Sequence, residues 1–356
     1  MKLGWKGALG IVLSVVFLYF AFRNVHWTDA WRAAQQAHYG LLLLSVIAAT
    51  GMFALRAIRW RTILDPVAPK LPFGPLWRAI AMGQMVTNVV PGRFGEIVRP
   101  YALTREVGEN TVPFPMSLAS IAVDRVFDAI VVLLLLGLSM LSPGLPSTLT
   151  IAGHTLTLSQ IIRYLGIAPI ALLVILYALV FLPDRLIKLF EAFARPISHS
   201  LEVKGSQMLR RFADGLSVLR NPRHFIAVFL WTLAHWLLQP LAFWLAMKAF
   251  NVPAPIQSTL FVQGVIVAAV ALSPSPGFFG VFEAAGAAAL AAYGVDQTLG
   301  TTWALVFHVA TFIPITVIGA YYFARAGLTL GEISTASKDP ESGTPTVGAK
   351  RRREEQ

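Results

Sequence analysis

The stretch Pro91–Pro100, PGRFGEIVRP, decides how this chain is read. It holds two arginines, a glutamate, two glycines and two prolines, and it lies between apolar segments. In water it would pass for a surface loop. The chain around it, however, has 356 residues of which 56% are hydrophobic and 13% charged, with a mean hydropathy of +0.65. Soluble domains carry about 25% charged residues. So much apolar surface cannot be left in water, and the sequence reads as a polytopic membrane protein. The stretch then becomes polar, non-helical backbone at bilayer depth.

Six runs are long enough to cross about 30 Å of hydrocarbon as helices: roughly Gly4–Phe22, Gly40–Ile58, Arg125–Leu141, Ile161–Leu182, Phe225–Met247 and Thr301–Ala324. Two further apolar regions are interrupted. Pro75–Arg105 breaks at Pro91-Gly92, and Ile256–Tyr293 breaks at Pro274-Ser275-Pro276-Gly277. Their arms are short for a crossing, so each reads as a re-entrant hairpin. The expected fold is an all-α polytopic membrane protein of about six transmembrane helices plus two re-entrant broken-helix hairpins, as one membrane domain over residues 1–330. The alternative is eight or more full spans. Lys2 and Lys6 precede the first apolar run, but no A-x-A site follows, which favours an uncleaved first span.

Lys and Arg set the orientation. The loop Pro143–Gln160 has no charge, whereas Pro183–His224 holds Arg185, Lys188, Arg195, Lys204, Arg210, Arg211, Arg220 and Arg223. The second loop is therefore cytoplasmic, and counting outward places both termini there too, in an inner (plasma) membrane of bacterial type. Of 29 basic residues, all but Arg23, Arg32, Arg163 and Lys248 fall near that side. This distribution accounts for the net charge of +11 without nucleic acid as a partner. Leu186, Phe190, Phe193 and Ile197 recur among the basic residues at helical spacing, as in an amphipathic helix on an anionic leaflet, or else the segment is a solvated connector. The stretch 331–356 reads as a disordered basic tail.

The opening motif occurs twice. PGRFG at Pro91–Gly95 returns as PGFFG at Pro276–Gly280, followed by Glu96 and Glu283 and preceded by Gln84 and Gln263. At this offset Gly40–Ile58 falls on Phe225–Met247, and the spans after the breaks also correspond. Two units, about 40–142 and 225–325, therefore each read as span, broken hairpin, span. An odd number of crossings separates them, so they form an inverted repeat. Such repeats build alternating-access transporters with a site near the midplane.

Unpaired backbone groups cost several kcal/mol each in hydrocarbon, so Pro91, Gly92, Gly95, Pro274, Pro276, Gly277 and Gly280 are expected to line a polar cavity. Helices starting there turn N–H groups toward an anion. With Arg93 and Arg99 they make a seat for a lipid phosphate headgroup. Glu96 and Arg99 are spaced to pair on one helix face. Glu283 has no basic neighbour in sequence, so it is expected to be protonated, water-facing or paired with Arg93 or Arg99. Asp124, Arg125 and Asp128 stand at the cytoplasmic mouth of a span, either as charge-balancing groups or as an inner gate or a proton or cation site. Arg56 and Arg59 read mainly as positive-inside anchors beside Trp60. His235, Gln239 and His308 read as interhelical hydrogen-bonding groups. Cysteine is absent, and neither a P-loop, a metal-ligand set nor a nucleophile motif appears, so no cofactor or enzymatic activity is expected.

RAIRW at Arg56–Trp60, VPGRFGEIVRPYAL at Val90–Leu103, DRVFD at Asp124–Asp128 and SPSPGFFGVFEAAGAAAL at Ser273–Leu290 together resemble the flippase-like family whose reference member is the transmembrane region of lysylphosphatidylglycerol synthase. The resemblance runs from about Gly4 to Arg325. It implies an integral membrane protein that moves a lipid or lipid-linked molecule between leaflets. No aminoacyl-transfer domain follows in this sequence, so lysyl transfer is not expected. Lipid-modifying transfer, with Glu96 or Asp124 as base, and a non-catalytic partnership with envelope-lipid enzymes are the alternatives.

Overall fold

A computed structural model describes Tyr19, residues 26–66, 68–91, 94–142, 145, 148–151, 154–157, 181–196, 221–273 and 275–329, and scattered positions between 167 and 210. The expected first span, most of Ile161–Leu182, Gly92, Arg93, Pro274 and the 331–356 tail lie outside these residues. In chain order the helices are α1 (Trp27–Gln35), α2 (Tyr39–Leu64), α3 (Phe73–Val89), α4 (Gly95–Val107) and α5 (Phe114–Ser139). A two-stranded ribbon, β1 (Thr148–Ile151) and β2 (His154–Thr157), follows. After it come α6 (Pro183–Ala194), α7 (Pro222–Ala249), α8 (Ser258–Leu272), α9 (Val281–Ala291) and α10 (Gln297–Arg325).

Among the described residues three helices, α2, α7 and α10, are long and apolar enough to cross a membrane. Helix α5 matches them in length with 26 residues, but it carries the DRVFD charges in its interior. It starts eleven residues before the expected Arg125, because Pro115 suits a first helical turn and the residues after it stay apolar up to Asp124. Helix α2 likewise runs past the expected Ile58 to Leu64, and Asp296 caps α10 by accepting the N–H groups of Thr298 and Leu299. The chargeless loop holds the antiparallel ribbon, with Thr148 opposite Thr157 and Ile151 opposite His154, a small exception to the all-helical expectation. Helix α1, with exposed Trp27 and Trp31, was not foreseen. Helix α6 is amphipathic, burying Ile187 and Ala194 while exposing Leu189 and Phe193.

Both breaks fall where proline and glycine stand. Helix α3 ends at Val89 before Pro91, and α8 ends at Leu272 ahead of a short 3-10 turn at Pro276–Phe278. The arms pack back to back. At Gly95 an added Cβ would lie 1.9 Å from the Gly83 carbonyl oxygen and 2.1 Å from Thr87 Oγ1, so only glycine lets α4 cross α3 this closely. Small residues serve α2 and α7 in the same way, where Ser45 donates to the Ala242 carbonyl at 2.7 Å. Among the described residues two large apolar cores result, with a smaller cluster of Ile63, Val123, Phe127, Ile130 and Val228 between α2, α5 and α7. One gathers Trp60, Leu76, Leu103 and Phe114 from α2–α5. The other gathers Phe243, Leu290, Trp303 and Phe307 from α7, α9 and α10.

Candidate functional site: an arginine–carboxylate network beside a cavity

Asp124 and Asp128 stand one turn apart on α5 and face two arginines from other helices. Arg59 of α2 is fully buried. Its Nη2 lies 2.5 Å from Asp124 Oδ1, and its Nη1 donates to Asp128 Oδ1 at 2.6 Å. Arg99 of α4 donates through Nη1 to Asp124 Oδ2 at 2.9 Å, and its guanidinium carbon sits 4.0 Å from the Trp60 ring centroid. Arg125 closes the cluster, 3.3 Å from Asp128 Oδ2, 3.7 Å from Asp124 Oδ2 and 3.8 Å from Glu96 Oε1. Trp236 of α7 adds a hydrogen bond to Asp128 Oδ1 at 2.7 Å. Removing such charges from water costs several kcal/mol per ion, so they persist only when paired this completely.

Several expectations are corrected by this geometry. Arg59 is no interfacial anchor: α2 continues beyond it and turns it onto α5. The DRVFD residues lie inside a helix rather than at its mouth, since Asp124 is buried eleven positions into α5. Arg99 pairs with Asp124 rather than Glu96, because the buried carboxylate has the greater need of a counter-charge, and Glu96 faces Arg125 instead. Arg56 forms no ion pair among the described residues and lies 5.8 Å from the Phe53 ring centroid.

For Glu283 the structure contradicts two of the expected alternatives, a water-facing carboxylate and a pairing with Arg99. Its side chain is fully buried and not paired with Arg99. One oxygen accepts the Gly280 N–H at 2.6 Å, the reach of a third-position glutamate back to its own helix cap, and the other lies 2.7 Å from His308 Nδ1. The His308 ring stacks on Phe279 and Phe282 at centroid distances of 4.6 and 4.4 Å. His235 Nδ1 is 3.3 Å from the Met52 carbonyl, an interhelical contact as expected.

The two breaks meet. Gly277 adopts φ +59°, which favours glycine, and a Cβ there would fall 2.9 Å from the Asn88 carbonyl oxygen at the end of α3. Asn88 is tied to Thr316 of α10 at 2.7 Å and accepts from Gln84 at 3.0 Å. Beside this contact lies a cavity of about 590 Å³. Arg56, Gln84, Gly95, Glu96, Arg99, Arg125, Asp128, His235, Gln239, Gln263, Gly277 and His308 all line it. Arg59, Asp124 and Glu283 support these residues from behind. Sequence reasoning missed Asn88, Trp236 and the ring wall of Phe278, Phe282 and Phe312. Of these only Asn88, a polar residue just ahead of Pro91, carried a signal. Among the described residues no three His, Asp or Glu side chains gather as a metal would require.

The pattern of the lysylphosphatidylglycerol synthase TM region matches residues 7–319. The chain belongs to that family. Two relatives extend over nearly its whole length. A UPF0104 membrane protein of Methanothermobacter thermautotrophicus is 28% identical across 88% of this chain and 92% of its own. A UPF0104 membrane protein of Pyrococcus horikoshii is 21% identical across 87% and 93%. The glycosyltransferase AglD of Haloferax volcanii is 29% identical across 39% of this chain and 22% of its own. No solved structure matches. This member of the lysylphosphatidylglycerol synthase TM-region family is a membrane protein with apolar helices.

Proposed function

We propose that this protein moves a phospholipid or lipid-linked molecule with an anionic phosphate headgroup between leaflets, through the cavity between its two broken helix pairs. The observation that carries the reading is the cavity itself. It is walled by arginines on one side, aromatic rings on another and apolar residues such as Val132, Leu133 and Val267, as a headgroup with chains requires. The basic loops favour two units of opposite orientation with both termini in the cytoplasm of an inner membrane. Helices α3, α4, α8 and α9 have 17, 13, 15 and 11 residues, or about 26, 20, 23 and 17 Å, each short of a 30 Å core. Gly277 and Asn88 come together, and if the two hairpins enter from opposite faces such tips meet only inside the membrane. This supports re-entrant hairpins in an inverted repeat over full spans.

The test is leaflet exchange in reconstituted vesicles, read by quenching of a headgroup-labelled phospholipid. Protein should speed exchange well above empty vesicles, and Glu96→Gln and Glu283→Gln should slow it. Exchange no faster than in empty vesicles overturns the reading. A second reading draws on the relative named a glycosyltransferase: an intramembrane lipid-modifying transferase with Glu96 as base. It would turn over lipid to a product of new mass.

A further inference from the structure

The polar atoms left without partners around the cavity describe the headgroup it takes, an inference that rests on the lipid reading above. Arg99 spends Nη1 on Asp124, while its Nε and Nη2 are buried with no partner among the described residues. Those two atoms form the guanidinium edge that grips a phosphate through parallel bonds. Arg56 Nε is unpartnered as well. Among the described residues, Arg56, Arg59, Arg99 and Arg125 stand against Glu96, Asp124 and Asp128, four positive charges to three, which leaves one of these four uncompensated. A singly charged phosphodiester balances it, whereas a phosphomonoester or pyrophosphate would bring excess negative charge into a poorly solvated site.

Elsewhere in the lining stand two carboxamides. Gln239 Oε1 and Gln263 Oε1 are both buried without partners. Gln263 commits its Nε2 to the Trp236 carbonyl at 3.2 Å, so what it offers the cavity is an acceptor. A ligand donor, from a hydroxyl or an ammonium, would satisfy both of these oxygens. An ammonium would need a carboxylate, and the only one within helices α7–α10, Glu283, is taken by Gly280 and His308. Glu96 and Asp128 are occupied by Arg125. Hydroxyls satisfy carboxamides without any counter-ion.

We propose that the cavity selects lipids whose headgroup is a singly charged phosphodiester bearing a polyol or sugar, with the phosphate at Arg56 and Arg99 and the hydroxyls at Gln239 and Gln263. Native mass spectrometry of the full chain in mild detergent tests this, using chain-matched phosphatidylglycerol, phosphatidylinositol, phosphatidylethanolamine and phosphatidic acid, with free glycerophosphoglycerol, the same phosphodiester without acyl chains, alongside. Phosphatidylglycerol and phosphatidylinositol should be retained about tenfold over the other two lipids, a difference of the size one or two good hydrogen bonds supply, and the free phosphodiester should not be retained. Gln239→Leu and Gln263→Leu should bring the polyol lipids down to the level of phosphatidic acid, and Arg56→Gln should weaken every anionic lipid. Lipid-induced thermal shifts of the unaltered protein should follow the same order, independently of whether a variant folds. Equal retention of phosphatidylethanolamine, tighter retention of phosphatidic acid, or glycerophosphoglycerol held as well as phosphatidylglycerol overturns the inference. Leaflet exchange of all these lipids alike would sink this selectivity and leave the transporter standing. Selective binding with no exchange would do the reverse.

Discussion

Asp124 holds Arg59 with one oxygen and Arg99 with the other, so a single carboxylate ties α2 and α4 to α5. Asp124→Asn would leave two buried guanidinium groups short of a counter-charge, and breaking a buried pair in this way costs about 3–5 kcal/mol. The melting temperature in detergent should fall sharply, and adding Arg99→Gln to Asp124→Asn should restore part of the loss. If the double variant melts no higher than Asp124→Asn alone, the two side chains are not coupled as the distances imply. Glu283 works through hydrogen bonds instead. Glu283→Ala removes both the cap on Gly280 and the His308 contact and should cost about 2 kcal/mol, whereas Glu283→Gln keeps an acceptor for Gly280 and should cost less than half of that in the same melt. At this scale the sequence singled out many of the residues that line the cavity but not the partners they take. Arg59 looked like an anchor because Arg56, Arg59 and Arg61 cluster near a helix end, as orientation signals do. Its partners lie more than sixty positions away on another helix, and no local spacing reveals that.

The helix pairs depend on backbone contact more than on side-chain burial. Gly83 and Gly95 let α3 and α4 touch, so Gly95→Ala must push the helices apart or distort the break between them. Overpacking costs about 1–3 kcal/mol in a yielding core. Here the obstacle is a carbonyl oxygen, so the cost should reach about 3 kcal/mol or more, with loss of cavity binding. Gly40→Ala, at a helix start with nothing within 4 Å, should be neutral or stabilising by up to about 1 kcal/mol. Comparing the two melts separates crowding from helix propensity, and equal stability would remove the case for a close crossing. The breaks themselves were legible, since Pro91 and Pro276 cannot continue a helix and both mark observed ends. The onset of α5 was not. Hydropathy starts the span among its charges at Arg125, whereas the helix begins at Phe114 and holds Asp124 and Asp128 in its interior because Arg59 and Arg99 pair with them from other helices.

Across the whole molecule, two five-residue motifs suggested two units of span, broken hairpin and span; helix ends stand near both motifs, and the two larger apolar cores each draw residues from both halves of the chain. What sequence could not supply is contact between the tips, which depends on how the units face each other. If the tips meet inside the bilayer, the flanks of the first pair share one face of the membrane and those of the second share the other. The chain has no cysteine, so single-cysteine variants need no background removed. In right-side-out vesicles an impermeant maleimide should label Gln257→Cys, Gln297→Cys and Thr148→Cys but not Lys70→Cys, Asn110→Cys or Leu189→Cys, all six being exposed positions. Two full spans per pair would leave these flanks where they are, so the flanks alone cannot distinguish the two architectures. The tip can. Phe94, at the start of α4, is 45% exposed. As the end of a re-entrant hairpin, Phe94→Cys should react many times more slowly than Thr148→Cys and be slowed further by bound phosphatidylglycerol. As the turn between two full spans it would stand in external water and react as fast as Thr148→Cys, and the shared cavity would no longer lie within the membrane.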